Sequence, residues 1–262
     1  MNFKIDFTMN ARKMMMTVVA LGCVTAAVAQ ARTKVVAHRG YWKTEGSAQN
    51  SIASLEKAIE IGSWGTELDV YITTDGVVVL HHDPQIGGKQ IDNSTYADIR
   101  DMKLANGEPI PTFKEFLAVA RKQKTTHPVI EIKSHSTKEK EDAAVDAVLD
   151  LVRKAKMDKQ VEYISFSQNI CERLIAKKPK AKVAYLGSDL TPQQLFDKGY
   201  TGLDYHIGAM RAHENWFDEA RKLGLEVNVW TIDDEPTMKY LIEKDVDYIT
   251  TDEPVMLQGL LK

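Results

Sequence analysis

The chain has 262 residues, of which 44% are hydrophobic and 27% charged, and a net charge of -3. That composition is ordinary for a globular protein, and the length is enough to bury a substantial core in one large domain or two small ones. No basic stripe with interleaved aromatics is present, which argues against a nucleic-acid partner.

The first 29 residues read as a secretory signal peptide. Lys4, Arg12 and Lys13 form a positive start, residues 14–27 are apolar, and Ala27-Val28-Ala29 before Gln30 is an A-x-A cleavage site. The apolar run falls short of the roughly 18 residues a spanning helix needs. Export to the periplasm or the outside is therefore expected, with cleavage near Ala29 and no stable membrane insertion afterwards. Leu21-Gly22-Cys23 offers a lipoprotein alternative, but the apolar stretch continues past Cys23 to the better site. Residues 30–262 are expected to form one domain. The cysteine left in it, Cys171, lies in a helix-like stretch where a buried, inert thiol is expected.

Residues 34–37 (KVVA) form a short β-run ending in His38-Arg39-Gly40. Ser51 is a plausible N-cap for an amphipathic helix stopped by Gly62. Residues 66–83, TELDVYITTDGVVVLHHD, follow. Alternate side chains of a strand share a face, so Glu67 and Asp69 project together while Leu68 and Val70 point the other way. Two carboxylates that close repel, and burying them unpaired is costly. A cation is the expected partner, and hard oxygen ligands indicate Mg2+ or Ca2+. The turn Thr73-Thr74-Asp75-Gly76 is too short for a parallel crossover and permits only an antiparallel return. That return carries His81 and His82 to the level of the two acids, and imidazole beside a metal-carboxylate pair is a general acid/base arrangement. Adjacent strand residues face opposite ways, so one of the two histidines is expected to enter the site.

Residues 84–112 are rich in turn formers, with one short helical piece. From there strand and helix alternate: Thr112 caps a helix running to Lys124, Pro128 opens the strand VIEIK, residues 138–157 form a long helix, and further strand-helix pairs follow. Strands followed by helices start near Lys34, Thr66, Val129, Val161, Lys182, Thr201, Glu226 and Asp247. This predicts an α/β fold, a (β/α)8 TIM barrel with a small inserted hairpin and loop region after the second strand. A doubly wound sheet would usually carry a Gly-rich phosphate loop after its first strand, and HRGYWKTEG is not one.

In such a barrel, catalytic groups sit at the C-terminal strand ends. Those ends read His38, Arg39, Glu67, Asp69, Glu131, Lys133, Phe166, Tyr185, Tyr205, His206, Trp230 and Asp252, too polar a set for a packed core. Glu131 and Lys133 share one face. Three carboxylates, Glu67, Asp69 and Glu131, then converge on one mouth as a site for a divalent cation, with fixed positive charge from Arg39 and Lys133 beside it. Such a site favours a phosphate. Two histidines can divide the proton work, and no Ser/His/Asp or Cys/His order suggests a covalent protein intermediate. A structural salt bridge competes with a functional role for Lys133, and simple filling of the barrel top competes for Trp230. His127, His135, His206 and His213 receive no role.

Taken in order, HRG, E-L-D-V, T-x-D-G, the H-D at the hairpin end, E-I-K, S-F, V-W-T-I-D and I-T-T-D-x-P resemble the glycerophosphodiester phosphodiesterase family over about residues 35–254. The resemblance implies a TIM barrel with bound Ca2+ or Mg2+. By that likeness His38 and His82 would be the acid/base pair, the H-D register favouring His82 over His81. Glu67, Asp69 and Glu131 would be the metal ligands, Arg39 and Lys133 would bind phosphate, and Trp230 would line the glycerol or head-group side. The implied reaction is hydrolysis of a small-molecule glycerophosphodiester, a deacylated phospholipid, to glycerol 3-phosphate and an alcohol. A cyclic phosphate formed by the substrate's own 2-hydroxyl is an intermediate consistent with it. Two other readings stay open: a lysophospholipase D-like enzyme, for which residues 84–112 carry too few large apolar residues to form a groove or lid, and a non-catalytic phosphodiester-binding barrel. The latter is motivated by a departure. The family usually carries P-E-N-[ST] where this chain has Ala48-Gln49-Asn50-Ser51, and Gln49 removes a negative charge near the metal.

Overall fold

The computed structural model describes residues 33–262, and the expected signal segment with Cys23 lies outside the described residues. In chain order, β1 (Lys34–Ala37) leads to α1 (Ile52–Glu60), and β2 (Gly65–Ile72) to its hairpin return β3 (Val78–Leu80). A two-residue ladder, β4 (Gln85–Ile86) with β5 (Lys89–Gln90), precedes a 3-10 turn (Ile91–Asn93), α2 (Tyr96–Ile99) and α3 (Phe113–Ala120). Then come β6 (His127–Ile132), α4 (Lys138–Ala155), β7 (Glu162–Ser165), α5 (Gln168–Lys177), β8 (Val183–Tyr185) and α6 (Pro192–Asp197). The chain finishes with β9 (Gly202–His206), α7 (Ile207–Ala212), α8 (Asn215–Leu223), β10 (Glu226–Trp230), α9 (Glu235–Glu243), β11 (Tyr248–Thr251) and α10 (Pro254–Leu260).

The sheet runs β1-β11-β10-β9-β8-β7-β6-β2-β3, and a further pairing of β1 with β2 closes it into a barrel of eight parallel strands. This is the expected (β/α)8 architecture. The ninth strand, β3, pairs antiparallel with the last residues of β2, above the level at which β1 pairs with it. Strands covered on both faces read as continuous apolar runs, and β2 is buried along its whole length. The predicted caps Ser51 and Thr112 are in place, and Thr191 caps α6: each side chain accepts the backbone N–H three residues on. Helix α3 stops at Ala120, short of the expected Lys124. There Gln123 folds back, its Oε1 accepting the N–H groups of Thr125 and Thr126 at 2.7 and 2.8 Å, and turns the chain into β6. Helix α7 was not expected; its six residues are too few to show a helical period.

Strand parity sorts the side chains. Val35, Leu68, Ile130, Tyr163 and Leu203 point outward to the helices in one large core, while Val36, Val129, Ile164, Leu186 and Tyr248 form a second cluster inside the barrel. Tyr185 and Tyr205 correct the strand-end reading. Both are buried in the outer core, and the Tyr205 hydroxyl donates to Leu190 O at 2.7 Å. They occupy outward positions, so standing at a strand's end does not bring them to the mouth. Cys171 is buried, and burial pushes its thiol up to about 12, leaving it inert as expected. His127 stacks on Trp64 at 4.9 Å and His213 on Trp216 at 4.1 Å, so both pack rather than line the mouth.

The turn-rich stretch after β3 has its own small core of Ile86, Ile91, Ile99 and Ile110 laid against Tyr71 and Val79 of the hairpin. Asp92 anchors it, accepting the Ser136 N–H at 2.8 Å from the loop after β6. The excursion thereby becomes a fixed wall beside the barrel mouth.

Candidate active site and metal centre

The pairing of β2 with β6 sets Asp69 opposite Glu131, and Glu67 projects on the same face. Carboxylate oxygens of Glu67, Asp69 and Glu131 lie within 4.8 Å of one another, with residue exposures of only 4%, 1% and 7%. Their surroundings differ. Asp69 Oδ2 accepts from Asn50 Nδ2 at 2.8 Å, and Lys133 Nζ stands 3.2 Å from Asp69 Oδ1 and 2.7 Å from Glu131 Oε1. The Arg39 N–H donates to Glu67 Oε2 at 2.8 Å, and Arg39 Nε lies 3.6 Å from Asp69 Oδ2. Glu67 Oε1 is buried without a hydrogen-bond partner among the described residues.

Charge follows from these contacts. Burial pushes Glu67 well above the usual carboxylate range, with Asp69 and Glu131 adding repulsion. Glu131 is pushed up to about 8, by burial first and Asp69 second. Burial alone would raise Asp69 too, but Lys133, Asn50, His82 and Arg39 hold it below its ordinary value. One acid is thus held charged by its protein partners, and the other two, Glu131 despite its contact with Lys133, call for a cation or a proton. Three hard oxygen donors and the orphaned Glu67 Oε1 fit a divalent cation.

The loop after β1 is folded to serve this cluster. Arg39 and Asn50 both hold positive φ, 54° and 58°, which is uncommon for residues with a side chain and costs roughly 1–3 kcal/mol each. The Asn50 N–H donates to Arg39 O at 3.0 Å, and Asn50 Oδ1 accepts the Asp69 N–H at 3.0 Å, so one asparagine clips loop to strand. Gly40 is required between them: its φ is +80°, and a Cβ there would meet the Ser54 backbone carbon at 2.8 Å.

Two imidazoles flank the cluster. His38 Nδ1 lies 2.8 Å from Asp252 Oδ1, which also accepts Trp42 Nε1 at 2.9 Å. On the hairpin, the His81 N–H donates to Asp69 O at 3.2 Å, the predicted level, and the next residue, His82, turns to the acids. His82 lines the pocket that holds His38, Arg39, Glu67, Glu131 and Lys133, whereas His81 lines only the groove outside it. His82 Nδ1 contacts Asp83 Oδ1 at 2.8 Å; burial lowers its pKa, against Asp69, and the imidazole is neutral near pH 7. The pocket, about 180 Å3, is walled by Phe166, Leu186 and Trp230. Phe166 and His206 each meet the Trp230 ring edge-on, at 5.7 and 5.3 Å, and Trp230 Nε1 donates to Asp204 O at 2.9 Å.

All eight residues singled out from the sequence therefore border one mouth. Three others went without a role. Asp252 stands among the strand ends, and Asn50 lies in the A-Q-N-S segment, but their partners are 214 and 19 residues away. Asp204 occupies an inward position in mid-strand that parity alone would have flagged. Its Oδ2 accepts from Asn228 Nδ2 at 3.0 Å, Oδ1 has no hydrogen-bond partner among the described residues, and burial pushes the group up to about 7. A carboxyl raised above its unfolded value stabilises fully at acid pH, and that contribution is lost as pH rises through about 7. Asp204→Asn, which cannot ionise, is expected to stabilise the fold at pH 8 by on the order of 2–4 kcal/mol and by under half as much at pH 5. Thermal unfolding of both proteins at the two pH values checks this; equal shifts at both would contradict it.

The model of the Glycerophosphoryl diester phosphodiesterase family matches residues 38–256. The crystal structure of a glycerophosphodiester phosphodiesterase from Parabacteroides distasonis superposes with a TM-score of 0.87 at 45% identity, covering 88% of this chain and 98% of that one. A second such crystal structure, from Thermotoga maritima, gives a TM-score of 0.69 at 26% identity, covering 88% and 98%. The glycerophosphodiester phosphodiesterase of Caldanaerobacter subterraneus is 27% identical over 252 residues, 88% of this chain and 98% of that protein.

Proposed function

Because this chain belongs to the glycerophosphoryl diester phosphodiesterase family, we propose that it hydrolyses glycerophosphodiesters to glycerol 3-phosphate and an alcohol. The observation that carries the reading is the meeting of three buried carboxylates, two basic side chains and two imidazoles around one small pocket. Glu67, Asp69 and Glu131 would hold Ca2+ or Mg2+, which when bound supplies Lewis-acid stabilisation of the phosphoryl oxygens. Arg39 and Lys133 bind the same oxygens from the protein side. Burial would lower the pKa of Lys133, but Asp69, Glu131 and Glu67 keep it above the ordinary lysine range, so it is always charged.

Neutral His82 takes the proton of the substrate's 2-hydroxyl as that oxygen bonds to phosphorus. His38, held by Asp252 through Nδ1, gives the Nε2 proton to the departing alcohol oxygen as the P–O bond breaks. Water then opens the cyclic phosphate with the two imidazoles in exchanged roles, releasing glycerol 3-phosphate. Phe166 and Trp230 pack the glycerol carbons. The signal-like residues 1–29 support a place outside the cytoplasm, where such an enzyme would scavenge phosphate, glycerol or head groups.

The test is direct. With Ca2+ or Mg2+ supplied, at least one of glycerophosphocholine, glycerophosphoethanolamine, glycerophosphoglycerol and glycerophosphoinositol is expected to release glycerol 3-phosphate. Chelation stops the release and added cation restores it. Inertness towards all four, or turnover indifferent to chelator, refutes the proposal.

A further inference from the structure

Arg39 and His82 line two cavities. One is the walled pocket of about 180 Å3, and the other an open groove of about 520 Å3 between the loop after β1 and the excursion after β3. A phosphodiester has two arms. Under the phosphodiesterase reading, on which this inference rests, the glycerol arm is common to every substrate and the alcohol arm varies. A small pocket with fixed aromatic walls suits the constant arm. The larger, open groove is left for the variable one.

The groove has a distinct chemistry. Its cations are Arg39 and Lys103, and its single carboxylate is Asp83, which already faces His82 at 2.8 Å. Lys103 has no ion pair or side-chain hydrogen bond among the described residues, whereas Lys43 on the other side of the mouth is ringed by Asp233, Asp252 and Glu253 within 3.7 Å. Gln49 Oε1 accepts from Arg39 Nη1 at 2.7 Å, and no protein atom among the described residues takes up its amide N–H groups. Trp42 is the one aromatic side chain, Trp, Tyr or Phe, on this lining, too few to cage a quaternary ammonium. We propose that this groove is the head-group subsite and that it selects glycerophosphodiesters whose alcohol arm is a polyol or an anion over those whose arm is cationic. Lys103 and the Gln49 amide supply the donors, and the uncompensated lysine repels a trimethylammonium group.

The experiment compares glycerophosphoinositol with glycerophosphocholine on the cation-loaded full chain. Wild type is expected to favour the inositol diester in kcat/KM by about tenfold or more, chiefly through KM. Lys103 is exposed, so Lys103→Glu should fold normally; it is expected to lower that ratio about tenfold, with Lys103→Gln in between. Competitive inhibition by glycerol 3-phosphate, which reads the walled pocket, stays unchanged in all three. A wild type that prefers the choline diester, or a ratio that Lys103→Glu leaves unmoved, overturns the groove assignment while the phosphodiesterase reading stands. Failure to turn over the inositol and choline diesters while glycerophosphoethanolamine or glycerophosphoglycerol is hydrolysed likewise overturns the groove assignment; inertness towards all four removes the phosphodiesterase reading, and this inference with it.

Discussion

His82→Ala is expected to lower kcat by about a thousandfold while leaving the fold and cation affinity intact, because a positioned acid or base is worth roughly 10²–10⁴ in rate. His38→Ala is expected to do the same on natural diesters. The two part company on a substrate whose leaving group needs no proton. With a p-nitrophenyl ester of glycerol phosphate, His38→Ala should recover most of the wild-type rate and His82→Ala should not, since the 2-hydroxyl must still be deprotonated. Asp252→Asn leaves His38 in place without its 2.8 Å anchor and is expected to fall between, at about ten- to a hundredfold. The acidic limb of the rate profile should lie below the ordinary imidazole value, in line with the downward shift that burial gives His82. Equal losses for both histidine variants on the p-nitrophenyl ester would reject the division of labour.

Removing the divalent cation should cost activity entirely and stability in a pH-dependent way. Glu67 and Glu131 have folded-state pKa values above those of the unfolded chain, so the cation-free protein is most stable below about pH 4. It loses that stability as pH climbs towards about 8, where Glu131 has ionised beside Asp69. Bound cation cancels the repulsion. The gap in Tm between cation-loaded and chelated protein should therefore widen from pH 5 to pH 8, by an amount equivalent to on the order of 2–4 kcal/mol. Cation binding at pH 7 should release protons, measurable as a dependence of the calorimetric heat on the buffer's own ionisation enthalpy. Glu67→Gln should abolish binding, lower kcat by at least about a thousandfold, and leave the chelated protein more stable at pH 8 than wild type. A gap in Tm that does not change with pH would mean that the three acids do not share one ion.

Much of this is legible in the amino-acid sequence, for reasons that differ by element. The β2–β3 hairpin was readable because a four-residue turn allows one geometry, which carried His82 to the level of Glu67 and Asp69. The barrel count held because each parallel strand is a short apolar run with a capped helix behind it. Strand parity separates His81 from His82, and it also turns Tyr185 and Tyr205 towards the helices and Asp204 inward, which position at a strand end does not convey. Asn50 and Asp252 act through contacts that close only on folding, and no local pattern announces them. Ile86, Ile91, Ile99 and Ile110 show no period because they cover the side of a hairpin rather than one face of a helix or strand.

The pairing of β1 with β11 in the ring brings the first and last strands of the barrel together. All three clustered carboxylates come from β2 and β6, whereas the partner of His38, Asp252, follows the final strand. Under the proposed phosphodiesterase reading, a variant lacking that strand would keep the three acids but lose the anchor of the proposed proton donor, so hydrolysis would depend on the last strand of the barrel being in place.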